Sequence, residues 1–587
     1  MKISRVFDIL EHQKNSYPKK DALCCKVNNE WKHYNIDECI KYADRISYAL
    51  INSGLKKDDK ISIISNNRPE WNFLDFGAMQ CGVINVPVYP TISEADYKYI
   101  FNDAEVKIVF VSSEELYQKV MNIRKDVPSI QEVYTFNEVN GAPHWTSFLA
   151  KGDLNQEPGL NEIKNSITPE DISTIIYTSG TTGFPKGVML THKNIVSDII
   201  AAKPLMPVNE NHRALSFLPL NHSFEKMIIY LYITFGVSVY YAESMETIGD
   251  NLREVKPHIF TAVPRLLEKV YEKIVSKGLE LKGIKRALFF WALRLGERWD
   301  NQNPPGGLYM AQLNLARKLI FSKWKLALGN EVKMIVTGSA PMPQKLTRIF
   351  TAAGITIMEG YGLTETSPAA TVNRFDLRYN KIGTVGQALP GVEIKIATDG
   401  EILIKGDIIM KGYYKRPDLT AEVIDADGWF HTGDVGEIDN EGFVKITDRK
   451  KELFKTSGGK YVAPQPIENK FKESFFIEQI MVVGDAKKFV SAIIVPSFSN
   501  IEKWCSNNGI TYNSREELIR NPKVVARFND IIDDLNKEFG HIEQIKKFTL
   551  ITQEWTVPGG DLTPTLKLKR KHLLQKYAQE IDAMYAE

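Results

Sequence analysis

Short apolar runs alternate with helical patterns along the chain up to about Gly383. Four of these runs are Lys60–Ser65, Val83–Tyr89, Val106–Val111 and Val332–Thr337. An alternation of buried strands and helices is typical of layered α/β domains. The pattern therefore predicts a large α/β domain in the first part of the chain.

After Gly383 the pattern changes to short alternating strands with Gly and Asp turns, which predicts a small β-rich lobe at about residues 383–447. The charged run Asp448–Glu452 and the glycine-rich Thr456–Lys460 follow, and they indicate a hinge. Helical and strand patterns continue to the end. We predict a large domain at residues 1–450 and a smaller α+β domain at residues 451–587.

Composition indicates a folded globular protein. The 587 residues include 74 Lys plus Arg and 72 Asp plus Glu, a formal net charge of +2 that gives no reason to expect nucleic-acid binding. Hydrophobic residues make up 43% and charged residues 25%, as in ordinary globular proteins. The five cysteines are scattered, with no spacing typical of metal ligands, so neither a disulfide framework nor a zinc site is expected.

No secretory or membrane-spanning segment is expected. The first residues turn polar at once, and the most apolar stretch, Met227–Ala242, is shorter than the about 20 residues that a spanning helix needs. The sequence therefore predicts a cytoplasmic protein.

The segment Tyr177–Gly187, YTSGTTGFPKG, lies between two predicted strands, Ile172–Ile176 and Val188–Leu190. Glycines allow backbone amides to approach a ligand, hydroxyls add hydrogen-bond donors, and Lys186 adds a positive charge. These parts suit a polyphosphate, although Pro185 before the lysine excludes a Walker A loop. A flexible linker would not require ordered strands on both sides. The candidate ligand-binding residues are Thr178, Ser179, Gly180, Thr181, Thr182 and Gly183.

This loop resembles the phosphate loop of the adenylate-forming superfamily, which includes acyl-CoA synthetases, adenylation domains of peptide synthetases and firefly luciferase. Further motifs of the family follow in order over nearly the whole chain. The resemblance implies a large N-terminal domain that binds ATP and an acid, and a small mobile C-terminal domain that completes the site. ATP and Mg²⁺ are the implied cofactors, and CoA is the implied co-substrate.

The motif Glu359–Thr366, EGYGLTET, combines a ring, a hydroxyl and a carboxylate. The family assigns Tyr361 to adenine, Thr364 to the α-phosphate, and Glu365, together with Thr181, to Mg²⁺. Oxygen ligands suit this hard cation. The resemblance also makes Gly338, Ser339, Ala340, Glu359, Gly360 and Gly362 part of the nucleotide pocket.

Three later motifs resemble the family's ribose, hinge and lysine motifs. Asp434 in Trp429–Asp434 is implied to bind both ribose hydroxyls, Arg449 to reach the ribose or phosphate, and Lys451 to act as the pivot between the domains. The loop with Gly458 and Gly459 is implied to let the pantetheine arm of CoA pass. In Leu562–Lys571 the lysine of the last motif corresponds to Lys567, which would bind the acid and the α-phosphate.

The acid is predicted from two segments. His222 precedes the apolar stretch, in a segment that resembles the family segment at the entrance of the acyl pocket. The resemblance implies that His222 marks the polar mouth of that pocket. The helical stretch Tyr271–Gly329 resembles the segment that lengthens long-chain fatty acyl-CoA synthetases. Its face with Ile284, Leu288, Trp291, Leu295 and Trp299 is expected either to pack on its own domain or to contact a membrane peripherally.

We therefore predict a long-chain fatty acyl-CoA synthetase that forms acyl-AMP and pyrophosphate and then acyl-CoA, with Lys567, Lys186, Thr364, Glu365 and His222 as the catalytic candidates. Ligases for aryl or medium-chain acids, a fatty acyl-AMP ligase and a nonenzymatic acyl-nucleotide-binding protein remain alternatives. The oligomeric state, monomer or homodimer, is left open.

Overall fold

The computed structural model describes residues 3–153, 159–178, 184–557, 559–563 and 567–586. Its α-helices are α1 (Asp8–Ser16), α2 (Ile36–Asn52), α3 (Pro69–Gln80), α4 (Glu94–Ala104), α5 (Glu114–Ile123), α6 (Trp145–Leu149), α7 (Gly159–Ser166), α8 (His192–Ala202), α9 (Ser223–Thr234), α10 (Ile248–Val255), α11 (Pro264–Leu279), α12 (Gly283–Glu297), α13 (Gly307–Ala316), α14 (Ser322–Ala327), α15 (Gln344–Ala352), α16 (Pro417–Val423), α17 (Pro464–Phe471), α18 (Phe498–Asn507), α19 (Arg515–Arg520), α20 (Pro522–Asn536), α21 (Arg570–Lys576) and α22 (Ala578–Tyr585).

The strands are β1 (Leu23–Val27), β2 (Glu30–Tyr34), β3 (Lys60–Ile64), β4 (Ile84–Asn85), β5 (Val106–Val111), β6 (Glu132–Thr135), β7 (Ile172–Thr178), β8 (Lys186–Thr191), β9 (Arg213–Ser216), β10 (Ser238–Tyr241), β11 (Ile259–Ala262), β12 (Met334–Thr337), β13 (Thr356–Tyr361), β14 (Thr371–Val372), β15 (Gln387–Ala388), β16 (Glu393–Ile396), β17 (Glu401–Lys405), β18 (Gly412–Tyr413), β19 (Phe430–Ile438), β20 (Val444–Arg449), β21 (Phe454–Lys455), β22 (Tyr461–Val462), β23 (Ile477–Val483), β24 (Val490–Pro496) and β25 (Ile545–Leu550). A π turn, Arg317–Phe321, joins α13 to α14, and short 3₁₀ helices lie at Arg124–Asp126, Lys203–Leu205, Thr364–Thr366 and Leu377–Tyr379.

Two large sheets organise the N-terminal part of the chain. Nine strands follow the order β15-β14-β13-β12-β11-β9-β10-β1-β2, and seven follow β18-β8-β7-β4-β3-β5-β6. A four-stranded sheet, β16-β17-β19-β20, corresponds to the predicted β-rich segment, and the C-terminal sheet is β23-β24-β25. Parallel neighbours such as β9, β11, β12 and β13 carry helices between them, which confirms the predicted α/β class.

The predicted strands agree with the structure except at one run. β3 and β5 coincide with their predicted runs, and β12 covers the last four residues of its run. The run Val83–Tyr89 contains only the two-residue strand β4. Pro87 has no amide hydrogen and so interrupts regular pairing, although Val86 and Val88 still donate to β3 carbonyls.

The most apolar stretch forms two short elements. α9 ends at Thr234, the chain turns at Gly236 with a φ of +70°, and β10 follows. Within the described ranges, no helix has the length and the apolar character that crossing a bilayer requires.

The stretch predicted to be helical between Tyr271 and Gly329 is built from α11 to α14. Leu295 on α12 and Trp299 just beyond its end are buried, whereas Ile284 in its first turn is 79% exposed. The helix packs on α15, where Gly296 lies against Ile349. For most of the predicted face, packing on the chain's own core is therefore the alternative that the structure supports.

The C-terminal part has its own hydrophobic core, formed by β23–β25 and the helices around them. It also contacts α11. The Arg265 guanidinium pairs with Glu478, and the rings of Tyr271 and Phe475 stack with centroids 5.9 Å apart. These contacts hold the C-terminal part against the mouth of a large cavity.

Candidate active site

One cavity of about 2360 Å³ lies between the N-terminal sheets and the C-terminal part. Typical ligand pockets enclose about 300–1,000 Å³, so this one has room for more than one ligand group. Most of the predicted site residues that the structure describes line it. They are Thr178, His222, Gly338, Ser339, Ala340, Glu359, Gly360, Tyr361, Gly362, Thr364, Glu365, Asp434, Arg449, Lys451 and Lys567.

The predicted phosphate loop joins two antiparallel strands, as expected. Thr178 at the end of β7 is paired with Lys186 at the start of β8. The Lys186 ammonium lies 4.8 Å from the centroid of the Tyr413 ring. The rest of the loop, Ser179, Gly180, Thr181, Thr182 and Gly183, lies outside the described residues.

Glu365 lies beside this hairpin, where the Tyr413 hydroxyl donates to its Oε1 at 2.9 Å. Burial raises the pKa of Glu365, and the positive charge of Lys186 opposes that rise. The sequence analysis missed Tyr413. Its strand β18 pairs with β8 more than 200 residues away along the chain, and no local pattern signals that contact.

The turn before Glu365 requires a glycine. A Cβ on Gly362 would lie 1.8 Å from the carbonyl oxygen of Pro368. The backbone can therefore come this close only without a side chain, and the turn delivers Thr364 and Glu365 to the cavity. The Thr364 hydroxyl lies 3.3 Å from that of Ser223, a second contact that the sequence did not predict.

Asp434 and Arg449 are paired residues of β19 and β20. The Tyr361 hydroxyl donates to Asp434 Oδ2 at 2.7 Å, and Arg449 Nε lies 3.4 Å from Oδ1. Burial raises the pKa of Asp434, and Arg449 lowers it. The three side chains form a hydrogen-bonded group that presents a carboxylate to the cavity.

The Glu359 side chain accepts a hydrogen bond from the backbone of the cavity wall. Its Oε1 accepts from the Met342 amide at 3.0 Å, and burial raises its pKa to about 8. The wall itself, Gly338–Ala340, follows β12, and Ser339 has a left-handed φ of +67°. Glu359 thus fixes the loop that the sequence assigned to the nucleotide pocket.

Lys567 reaches the same end of the cavity from the C-terminal part. Burial and the nearby Arg449 lower its pKa to about 8, although Asp434 opposes the shift. Burial, followed by the charge of Lys567, lowers the pKa of His222 to about 4. At neutral pH, Lys567 is therefore mostly protonated and His222 is neutral.

The pKa of Lys567 gives a testable pH dependence. We expect kcat/KM for adenylation, measured by pyrophosphate exchange without CoA, to fall above about pH 8, because Lys567 loses its positive charge there. In Lys567→Arg the guanidinium stays protonated, so the fall should move to higher pH. An unchanged profile in this variant would assign the fall to another group.

The apolar end of the cavity is formed by one face of α9. Phe224, Met227, Ile228 and Leu231 line the cavity at three- and four-residue spacing. His222 caps the same helix, and its Nδ1 accepts from the Phe224 amide at 3.1 Å.

The other face of α9 is anchored in the core. The Lys226 ammonium lies 2.6 Å from Asp75 Oδ1, and the Tyr230 hydroxyl donates to the other carboxylate oxygen. Both charged groups are buried. Breaking such a pair leaves an uncompensated buried charge, at a typical cost of about 3–5 kcal/mol, so this pair holds α9 in position.

Three of the predicted residues that the structure describes, Lys186, Gly458 and Gly459, do not line the cavity. Gly458 and Gly459 lie in the exposed turn between β21 and β22, where the Ser457 amide donates to the Lys487 carbonyl. Lys451 lines the cavity directly after β20. The neighbouring Lys450 is held by Asp399 and Glu401 at 2.6 and 3.0 Å.

The donors present fit Mg²⁺ only in combination with a phosphate ligand. In the part of the chain that is described, no three His, Cys, Asp or Glu residues are grouped as metal ligands. Mg²⁺ commonly uses one or two carboxylates together with substrate phosphates and water. Glu365 suits that role. Burial raises the pKa of its carboxyl group, and a cation bound beside it would favour the ionised form.

The α/β sheets, the phosphate hairpin and a cavity closed by a C-terminal lysine define an enzyme of the adenylate-forming type. The chain belongs to the AMP-binding enzyme family, whose model matches residues 10–414, and the model of the AMP-binding enzyme C-terminal domain matches residues 452–587. The predicted superfamily and the prediction that the chain is an enzyme are thereby confirmed.

Individual relatives span most of the chain. A long-chain-fatty-acid–CoA ligase, FadD15, from Mycobacterium bovis is 33% identical over 95% of this chain and 93% of its own length. Long-chain-fatty-acid–CoA ligase 1 from Homo sapiens is 33% identical over 95% of this chain and 82% of its own. The adenylation domain of a carboxylate reductase from Mycobacterium chelonae has a TM-score of 0.80 at 21% identity, and the alignment covers 99% of this chain and 91% of that one.

Proposed function

We propose that the protein is an AMP-forming long-chain fatty acyl-CoA ligase. The observation that carries the proposal is the continuity of the cavity. One end has Asp434, Arg449, Glu365 and Lys567, and the other has the apolar face of α9. An amphiphilic acid activated by a nucleotide requires both ends in one space.

In the first step the carboxylate oxygen of the acid attacks the α-phosphorus of ATP. The new acyl–oxygen–phosphorus bond forms as the bond to pyrophosphate breaks, and pyrophosphate leaves with the electron pair. Protonated Lys567 offsets the repulsion between the two anions, and Lys186 stabilises charge on the phosphates. Mg²⁺ bound at Glu365 would supply further charge neutralisation.

In the second step the CoA thiol loses its proton to water, and the thiolate attacks the carbonyl carbon. A carbon–sulfur bond forms, the bond to AMP oxygen breaks, and AMP leaves. Lys567 lines the side of the cavity that the thiol must reach. We therefore propose that the region after residue 450 rotates about Lys451 between the steps and brings Gly458 and Gly459 to the pantetheine arm.

Rotation would have to separate the Arg265–Glu478 pair and the Tyr271–Phe475 stack, which both join α11 to the C-terminal part. The first family model ends at residue 414 and the second begins at residue 452, so the proposed pivot, Lys451, lies between them.

The long-chain assignment is supported by the apolar cavity wall and by the names of the relatives. It is tested by offering the purified protein ATP, Mg²⁺, CoA and an equal mixture of acetic, octanoic, palmitic, oleic and benzoic acids. We expect palmitoyl- and oleoyl-CoA to dominate the thioesters identified by mass spectrometry, because a longer acyl chain buries more apolar area against α9.

Other products would identify the alternatives. Dominant benzoyl- or octanoyl-CoA would indicate an aryl or medium-chain ligase, and acyl-AMP without thioester would indicate a fatty acyl-AMP ligase. No reaction with any acid would favour an acyl-nucleotide-binding protein.

A further inference from the structure

The consecutive helices α13, the π turn and α14 are apolar on two faces. The inner face carries Tyr309, Leu313, Ala316, Phe321 and Trp324, all buried. The outer face carries Leu308, Leu315, Leu319 and Leu326, which are 78, 49, 41 and 65% exposed. A helix with a single apolar face needs one partner to cover that face. The segment from α13 to α14 has a second apolar face, which no part of the described chain covers.

The four leucines form what we call the leucine stripe. Leu308 and Leu315 are seven residues apart, a spacing that places both on one face of α13; Leu319 lies in the π turn and Leu326 in α14, and the exposure of all four places them on the solvent side of this segment. The stripe extends over about 27 Å at 1.5 Å per residue. It differs from the predicted face at α12, where Leu295 and Trp299 are buried and Leu288 and Trp291 are half-buried.

The surroundings of the stripe are strongly basic. Residues 281–329 contain nine Lys or Arg and two Asp or Glu, a net charge of +7, whereas the whole chain has a net charge of +2. The rest of the chain is therefore net acidic. Lys318 and Lys323 next to the stripe are exposed, and among the described residues neither is paired with a carboxylate.

These features select between two kinds of partner. A second copy of the chain would bring together two segments that each have a net charge of +7, and like charges oppose that contact. An anionic lipid surface complements the charge and accepts the leucines, since basic residues beside an apolar helical face are typical of helices that lie in the membrane interface.

We propose that the leucine stripe and the basic residues around it dock the protein on anionic membranes. The helix lies along the surface, the leucines enter the boundary between headgroups and acyl chains, and Lys318 and Lys323 contact lipid phosphates. The proposal does not depend on the reaction proposed above, because the docking surface lies on the outer face of these helices and requires no substrate.

Cosedimentation with vesicles tests the docking. We expect the protein to bind vesicles of equimolar phosphatidylglycerol and phosphatidylcholine, to bind phosphatidylcholine vesicles far less, and to be released by salt. The double variant L315S/L319S should bind at least about tenfold more weakly, since it removes two inserting side chains. The control Ile542→Ser changes a similarly exposed residue in the C-terminal part and should bind normally.

Insertion has its own readout. The native cysteines are buried or half-buried, so a cysteine replacing Leu319 is labelled selectively by an environment-sensitive fluorophore. Its emission should shift to shorter wavelength with anionic vesicles, whereas a label at position 542 should not respond. Unchanged emission at 319, or equal binding by L315S/L319S, overturns the proposal. Dimerisation that the double variant abolishes, without vesicle binding, would also overturn it, in favour of a second copy.

Discussion

Replacing Lys567 with alanine is expected to slow acyl-adenylate formation by about 100- to 1,000-fold. The ammonium is buried at the end of the cavity where Asp434 and Arg449 also lie, so water cannot substitute fully for its charge. Without it, the acid and the α-phosphate approach as two uncompensated anions. ATP–pyrophosphate exchange, which reports the first step alone, measures the loss.

The same variant should retain most of its rate when acyl-AMP and CoA are supplied, because Lys567 has no part in the proposed second step. Lys537→Ala, which removes an exposed lysine of the C-terminal part, is the matched control and should leave both steps unchanged. Equal loss of both steps in Lys567→Ala would contradict its assignment to adenylation.

The second large effect is expected at Asp434. Tyr361 and Arg449 position the Asp434 carboxylate. We expect Asp434→Ala to raise KM for ATP about 100-fold, because the proposed role of the carboxylate is to accept two charge-assisted hydrogen bonds from the ribose hydroxyls. Removing it also leaves the Arg449 guanidinium without its partner. Initial-rate kinetics with varied ATP provides the measurement.

The variant Tyr361→Phe separates the orientation of the Asp434 carboxylate from its proposed direct contact with the ribose. It deletes the hydroxyl that holds Asp434 and keeps the ring, so we expect a rise in KM of only a few fold, within the range of a single neutral hydrogen bond. Asp376→Asn, at an exposed carboxylate paired with Arg378, serves as the control. If KM for ATP is normal in Asp434→Ala, the ribose role is wrong.

The strands were predictable where the signal is local. The runs at β3, β5 and β7 are short and mostly apolar, and each is largely buried in a sheet. The prediction failed where a tertiary contact determines which residues are buried. The helical period on α12 is correct, yet packing against α15 determines which side of the helix is buried, and Ile284 at its first turn stays exposed.

The site residues divide in the same way, since a local motif predicts some of them and tertiary contacts bring in the others. Tyr361, Thr364 and Glu365 belong to one continuous motif, so a single sequence is enough to propose them. Tyr413 and Ser223 contact Glu365 and Thr364 from elements far away along the chain, and no local pattern predicts these contacts. The turn with Gly458 and Gly459 lies away from the cavity in the structure, so its role in the thioester step remains a prediction.

The buried Lys226–Asp75 pair has a consequence for how such an enzyme diversifies. Because one side of α9 is anchored, the acyl end of the cavity cannot deepen by a retreat of the helix. On the proposed function, selectivity for chain length then depends on the bulk of the α9 side chains that line this end, among them Met227 and Leu231. A lineage can therefore change its preferred acid by single substitutions, while the nucleotide end is inherited intact.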